Sequence, residues 1–83
     1  MDEKLILADG TELTGHVIAT DSKLFVYVYG IDLQTLFNLL IDPEKTKKIT
    51  AIRYGTESVF KGFKHLYAVT EENNDLTTAA LRK

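Results

Sequence analysis

Residues 23–41 read Lys-Leu-Phe-Val-Tyr-Val-Tyr-Gly-Ile-Asp-Leu-Gln-Thr-Leu-Phe-Asn-Leu-Leu-Ile. The first seven interleave two apolar sets. Leu24, Val26 and Val28 share one face of a strand and Phe25, Tyr27 and Tyr29 the other, because successive strand side chains point to opposite sides. A half-buried strand needs only one apolar face, so the second asks for a cover of its own. The helix that follows can supply it, or another copy of the chain can. Gly30 ends the strand. Asp32 suits an N-cap, since a short carboxylate accepts from the free amides of the first turn and favours the positive end of the helix. Leu33, Leu36, Phe37 and Leu40 then recur at i, i+3, i+4 and i+7 as an apolar stripe, opposite Gln34, Thr35 and Asn38. Pro43 disfavours helical geometry at Asp42, so the helix should stop near Ile41. A helix of about ten residues does not persist alone in water and must be held by packing on the sheet.

Towards the N-terminus, Lys4 to Ala8 reads as a short strand and Asp9-Gly10 as a hairpin turn of type I′. Glu12 to Thr20 returns with Leu13, Gly15, Val17 and Ala19 on one face, and Gly15 in mid-strand marks a bulge or a close approach to a neighbour. Asp21-Ser22 turns into the third strand, completing an antiparallel meander. Towards the C-terminus, Pro43 to Thr46 adds a helical turn, and Lys47 to Tyr54 resumes as a strand. Glu57 to Lys61 and Phe63 to Glu71 form two strands, or one bent at Gly62. Asn73 to Asp75 turns the chain into a closing strand, Leu76 to Arg82. The order β-β-β-α-β-β-β predicts an α+β fold in one domain, residues 1–83. Its form is a curved antiparallel sheet or small open barrel with one packed helix.

The chain has 83 residues, 45% of them hydrophobic, and no cysteine. A domain of this size buries only about 60–65% of its extended-chain surface, so its core is small. The lack of cysteine removes disulfides and thiolate metal sites and fits a cytoplasmic location. The start, Met-Asp-Glu-Lys, is acidic, and the apolar run behind it, Leu5 to Ala8, suits neither a signal peptide nor a membrane span. The net charge of −2 is unevenly spread. Residues 45–64 carry six basic groups against Glu57, a local +5, whereas residues 1–44 carry eight acids against Lys4 and Lys23, a local −6. Such segregation suits head-to-tail contacts or an anionic partner; it also suits charges that pair across a sheet.

Catalytic and metal-binding patterns are absent from this reading. His16 and His65 have no ligand spacing between them, and there is no nucleophile elbow or glycine-rich phosphate loop. The paired carboxylates Asp2/Glu3 and Glu71/Glu72 are adjacent in extended chain and so point apart. No catalytic, cofactor or metal residue is assigned, and the chain is read as non-enzymatic. The candidate interaction surface comprises Phe25, Tyr27 and Tyr29 with the basic residues Lys45, Lys47 and Lys48. Stacking of single-stranded bases on these aromatics is the alternative, opposed by the negative total charge and the lack of a ribonucleoprotein signature.

Two resemblances follow from particular residues. Leu5-Ile-Leu-Ala-Asp-Gly-Thr-Glu-Leu-Thr-Gly-His-Val-Ile-Ala-Thr-Asp21, within residues 5–28, resembles the first motif of Sm and Lsm RNA-binding barrels. The second half departs from that pattern, with Ile52-Arg53-Tyr54-Gly55 only loosely similar and the helix elsewhere, so no RNA-contacting residues are carried over. Asp9 to Thr11, Phe37-Asn-Leu-Leu-Ile-Asp-Pro-Glu-Lys-Thr46 and the closing hairpin from Gly62 to Leu81 resemble small uncharacterised proteins encoded by phages and prophages of Gram-positive bacteria. That resemblance implies an accessory protein, either a virion or tail-associated component or a small inhibitor of a host protein. Partners are then a host or virion protein and the chain itself, as a homodimer or higher oligomer. No membrane is involved, and nucleic acid is the lesser alternative. Location is cytoplasmic or virion-associated.

Overall fold

The computed structural model describes residues 3–7, 9–46, 49–51, 60, 62–72 and 75–83. Strands β1 (Glu3–Ile6), β2 (Glu12–Ala19) and β3 (Lys23–Tyr29) form the expected meander. Helices α1 (Leu33–Leu40) and α2 (Pro43–Thr46) follow, then β4 (Thr50–Ala51), β5 (His65–Glu71) and β6 (Leu76–Arg82). Among the described residues every ladder is antiparallel, and the strands lie in the order β4-β1-β2-β3-β6-β5. The fold is therefore α+β with an open antiparallel sheet whose outermost strands among the described residues are β4 and β5. β3, the strand with two apolar faces, lies inside the sheet between β2 and β6.

Leu24, Val26 and Val28 supply the buried side of β3, packed with Leu5, Val17, Ala79 and Leu81 from the neighbouring strands. Leu36 and Leu40 of α1 join the same cluster, so the helix covers this face and not the aromatic one. Phe60 and Phe63 complete it from the segment before β5, a contribution to the core that the strand reading of that segment missed.

Several expectations need correction. The β1–β2 turn is not of type I′: Asp9 does not take the positive φ that such a turn demands, and only Gly10 does, at +90°. Leu7 instead pairs with Thr11 (N···O 2.9 Å) around a longer loop, and Asp9 Oδ1 accepts from Thr11 N at 2.9 Å. That bond to Thr11 holds the Asp9 carboxyl below its ordinary value of 3.8. The buried stripe of α1 is rotated, because Phe37 is 37% exposed while Leu39 is half-buried. Leu39 and Leu7 pack against the core cluster that contains Leu36, Leu40 and Ile49, so the buried side of α1 includes Leu39. The helical turn expected at Pro43 to Thr46 is present as α2. β5 begins at His65 rather than Phe63. Of the strand expected over 47–54, only Thr50–Ala51 is described; Lys47, Lys48 and the strand expected over 57–61 otherwise lie outside the described residues.

The helix ends are capped as short helices require. Asp32 accepts from Thr35 N at 2.7 Å, and the Thr35 hydroxyl, with that amide, holds its carboxyl below the ordinary value of 3.8. Leu33 N donates to Glu71 Oε1 at 3.2 Å, tying α1 to β5. At the other end the buried Thr46 hydroxyl lies 3.3 Å from the carbonyl oxygens of Leu39 and Leu40 and 3.0 Å from that of Asp42, a shared donor for the orphan carbonyls of α1.

Two adjacent threonines on β6 set up a prediction of opposite signs. Thr77 is buried on the helix side, and its hydroxyl donates to Ile31 O at 2.6 Å, pinning the β3–α1 connection. The Thr78 hydroxyl oxygen points to the other face, where it is enclosed without a hydrogen-bond partner. A buried hydroxyl without a partner costs about 1–3 kcal/mol, whereas a satisfied one contributes about 1 kcal/mol. Thr77→Val should therefore destabilise by about 1 kcal/mol or more, and Thr78→Val should stabilise by a similar amount. Urea unfolding of the two variants beside the parent chain checks both signs.

Candidate interaction surface

The register of the ladders defines the face opposite the helices. Phe25 lies between Ile18 of β2 and Ala80 of β6, Tyr27 between His16 and Thr78, and Tyr29 beside Leu76. The pairing of β5 extends the two middle rows with Ala68 and Thr70. Three aromatic side chains thus form a row along the inner strand, spaced about 7 Å apart by the strand repeat. Ile18 is 44% exposed, Tyr29 42% and Tyr67 45%, while Phe25, Tyr27 and His16 are half-buried. The His16 and Tyr27 rings lie 6.1 Å apart at 38°. Both helices occupy the other side, so among the described residues no secondary-structure element covers this one.

Charge is graded along the strands. At the end where β3 begins, Lys23 faces Arg82, which faces His65 across β6 and β5. The Lys23 ammonium lies 5.9 Å from the Tyr67 ring centroid, and the bulge between Leu66 and Ala68 accounts for the displacement of Tyr67 from the regular ladder. Among the described residues no ion pair involves Lys23, His65 or Arg82; the ion pair there is Lys4–Glu12 at 3.1 Å, between two exposed side chains. At the opposite end of the same strands, Asp32, Glu71, Glu72 and Asp75 line an open hollow with Gly30, Ile31 and Thr77, and of these Glu71 and Thr77 are turned to the helix side.

The residues singled out from sequence are therefore only partly united. Phe25, Tyr27 and Tyr29 lie together on the open face. Lys45 is on α2, on the helical side of the sheet, near Leu7, Asp9, Leu39 and Ile49, and does not join them. Lys47 and Lys48 lie outside the described residues. Sequence reading missed Lys23, His65, Tyr67 and Arg82 as neighbours of the row. Their signal was the placement of β6 between β3 and β5, which no local pattern announces.

Among the described residues, no group of three or more His, Asp or Glu side chains is arranged to hold a metal ion. Among them too, no helix is long and apolar enough to cross a membrane. Comparison with protein-family models, with curated proteins and with solved structures finds no match.

Proposed function

We propose that the chain is a non-enzymatic protein–protein interaction module acting through the helix-free face of its sheet. The observation that carries this reading is the side on which α1 packs. With the helix on the Leu24, Val26 and Val28 face, Phe25, Tyr27, Tyr29 and Ile18 form an apolar and aromatic patch on the other. Aromatic anchors within a polar rim are the composition of protein interfaces, and patches of this kind on a small chain mark sites of association. The resemblance to phage and prophage accessory proteins supports the same class of role, made in the cytoplasm and directed at a virion or host protein or at another copy of the chain.

The test uses side chains that the fold does not need. Ile18→Ser and Tyr29→Ser remove exposed apolar surface and should leave the melting temperature within a few degrees of the parent. Each should abolish or weaken association at least tenfold in sedimentation velocity. Unchanged association in both variants contradicts the reading.

A second reading rests on a specific observation, the placement of Lys23 and Arg82 at one end of the aromatic row. Bases of a single strand stack on such platforms while cations follow the phosphates, and the affinity then falls steeply with salt. Sub-micromolar, salt-sensitive binding of a fluorescent single strand, lost in Tyr27→Ala, favours this reading over the first.

A further inference from the structure

The helix-free face has a feature that the folding of one chain does not reward. Lys23, Arg82 and His65 stand directly opposite one another on three adjacent strands. The like charges of Lys23 and Arg82, directly opposite across the β3–β6 ladder, destabilise it, and among the described residues no carboxylate pairs with either. The compensating charge lies on the same chain but at the far end of the same strands, where Glu72 follows β5 and Asp75 precedes β6. Between the two ends are the aromatic row and the small side chains Ala68, Ala80 and Thr78.

We infer that the occupant of this face is a second copy of the chain, packed face to face about a two-fold axis perpendicular to the strands. This rests on the proposed function and specifies its partner. Rotation about such an axis keeps each strand over its own copy but reverses its direction. The Lys23–Arg82–His65 end then lies over the Tyr29–Leu76–Glu72 end of the partner, twice. Arg82 and His65 approach the partner's Glu72, and Lys23 approaches the partner's Tyr29 ring. The aromatic centres, Phe25 and Tyr27, pack against their counterparts at the sheet-to-sheet distance of about 10 Å. A face with Lys23 and Arg82 at one end, aromatic side chains in the middle and Glu72 at the other is self-complementary under this operation.

Area agrees with charge. A stable interface removes about 800 Å² from each partner. The chain exposes 5155 Å² and measures 28 × 24 × 23 Å, so one face of this nearly isometric body supplies roughly the one-sixth that is required. A small core gains stability by the same burial.

A charge swap tests the arrangement by sedimentation velocity up to about 100 µM, well above the dissociation constants of stable dimers. The parent chain should form a discrete dimer that weakens with added salt. Arg82→Glu or Glu72→Arg alone should weaken it about tenfold, because the symmetry makes each lost pair count twice. The double variant, Arg82→Glu with Glu72→Arg, should restore it. Lys23→Glu serves in place of Arg82→Glu if the latter does not fold, as circular dichroism will show. A double variant no tighter than either single one overturns the two-fold arrangement, while loss of dimer in Tyr29→Ser alone upholds the face as an interface. Species that grow continuously with concentration overturn it in favour of head-to-tail assembly. A parent chain that stays monomeric at the highest concentration overturns self-pairing, and single-strand binding by that monomer assigns the face to nucleic acid instead.

Discussion

Leu40→Ala should destabilise the chain by about 2–5 kcal/mol, and Phe37→Ala, one turn earlier, by well under half as much. Leu40 is wholly enclosed among the side chains of the sheet, and truncating a buried leucine loses both its transfer free energy and the contacts around the cavity left behind. Small domains are stable by about 5–15 kcal/mol, so the upper end of that range would leave much of the population unfolded. Phe37 is the larger residue and belongs to the stripe predicted from periodicity, yet its side chain is partly in water. The contrast therefore examines which side of α1 is buried. Chemical denaturation giving Phe37→Ala the larger loss would place α1 in the wrong rotation and put Phe37 in the core.

Gly15→Ala should cost about 1–3 kcal/mol, against the ordinary expectation for a strand. Glycine in a strand interior is entropically unfavourable, and replacing it by alanine there usually stabilises. Here a Cβ would stand 2.6 Å from the Tyr27 carbonyl oxygen and 3.1 Å from Leu5 Cδ1. The first of these is backbone and held within the β2–β3 ladder, so relief requires the two strands to shift. The mid-strand glycine thus marks a close approach; no bulge interrupts the register of β2 with β1 or β3. Gly15→Val should be worse still. A melting temperature equal to or above the parent's in Gly15→Ala would show that the strands yield freely there.

How much of this was legible beforehand depended on whether the signal was local. The alternation in residues 23–29 correctly separated Leu24, Val26 and Val28 from Phe25, Tyr27 and Tyr29, because strand periodicity is set by the backbone alone. Asp32 was recognisable as a cap for the same reason, its carboxylate reaching only three residues ahead. Which of the two β3 faces the helix would choose was not legible, since both are apolar and the choice depends on where β2 and β6 place Val17 and Leu81. Phe37 misled because helical periodicity alone cannot weigh Phe37 against Leu39 as the neighbour of Leu36 and Leu40. Leu39 packs against the cluster that contains Leu36, Leu40 and Ile49, a tertiary contact that no helical period encodes. The basic row at Lys23, Arg82 and His65 is spread over nearly the whole length of the chain, and only the strand order brings it together.

Backbone amide shifts recorded over a concentration series report residue by residue which face associates. From dilute solution to about 100 µM, shifts should move in β2, β3 and β6, centred on Phe25, Tyr27 and Ala80. The amides of α1 around Leu36 and Asn38 should stay still. Movement concentrated on α1 and α2, with the β3 amides unchanged, would contradict the assignment of the helix-free face as the interaction surface.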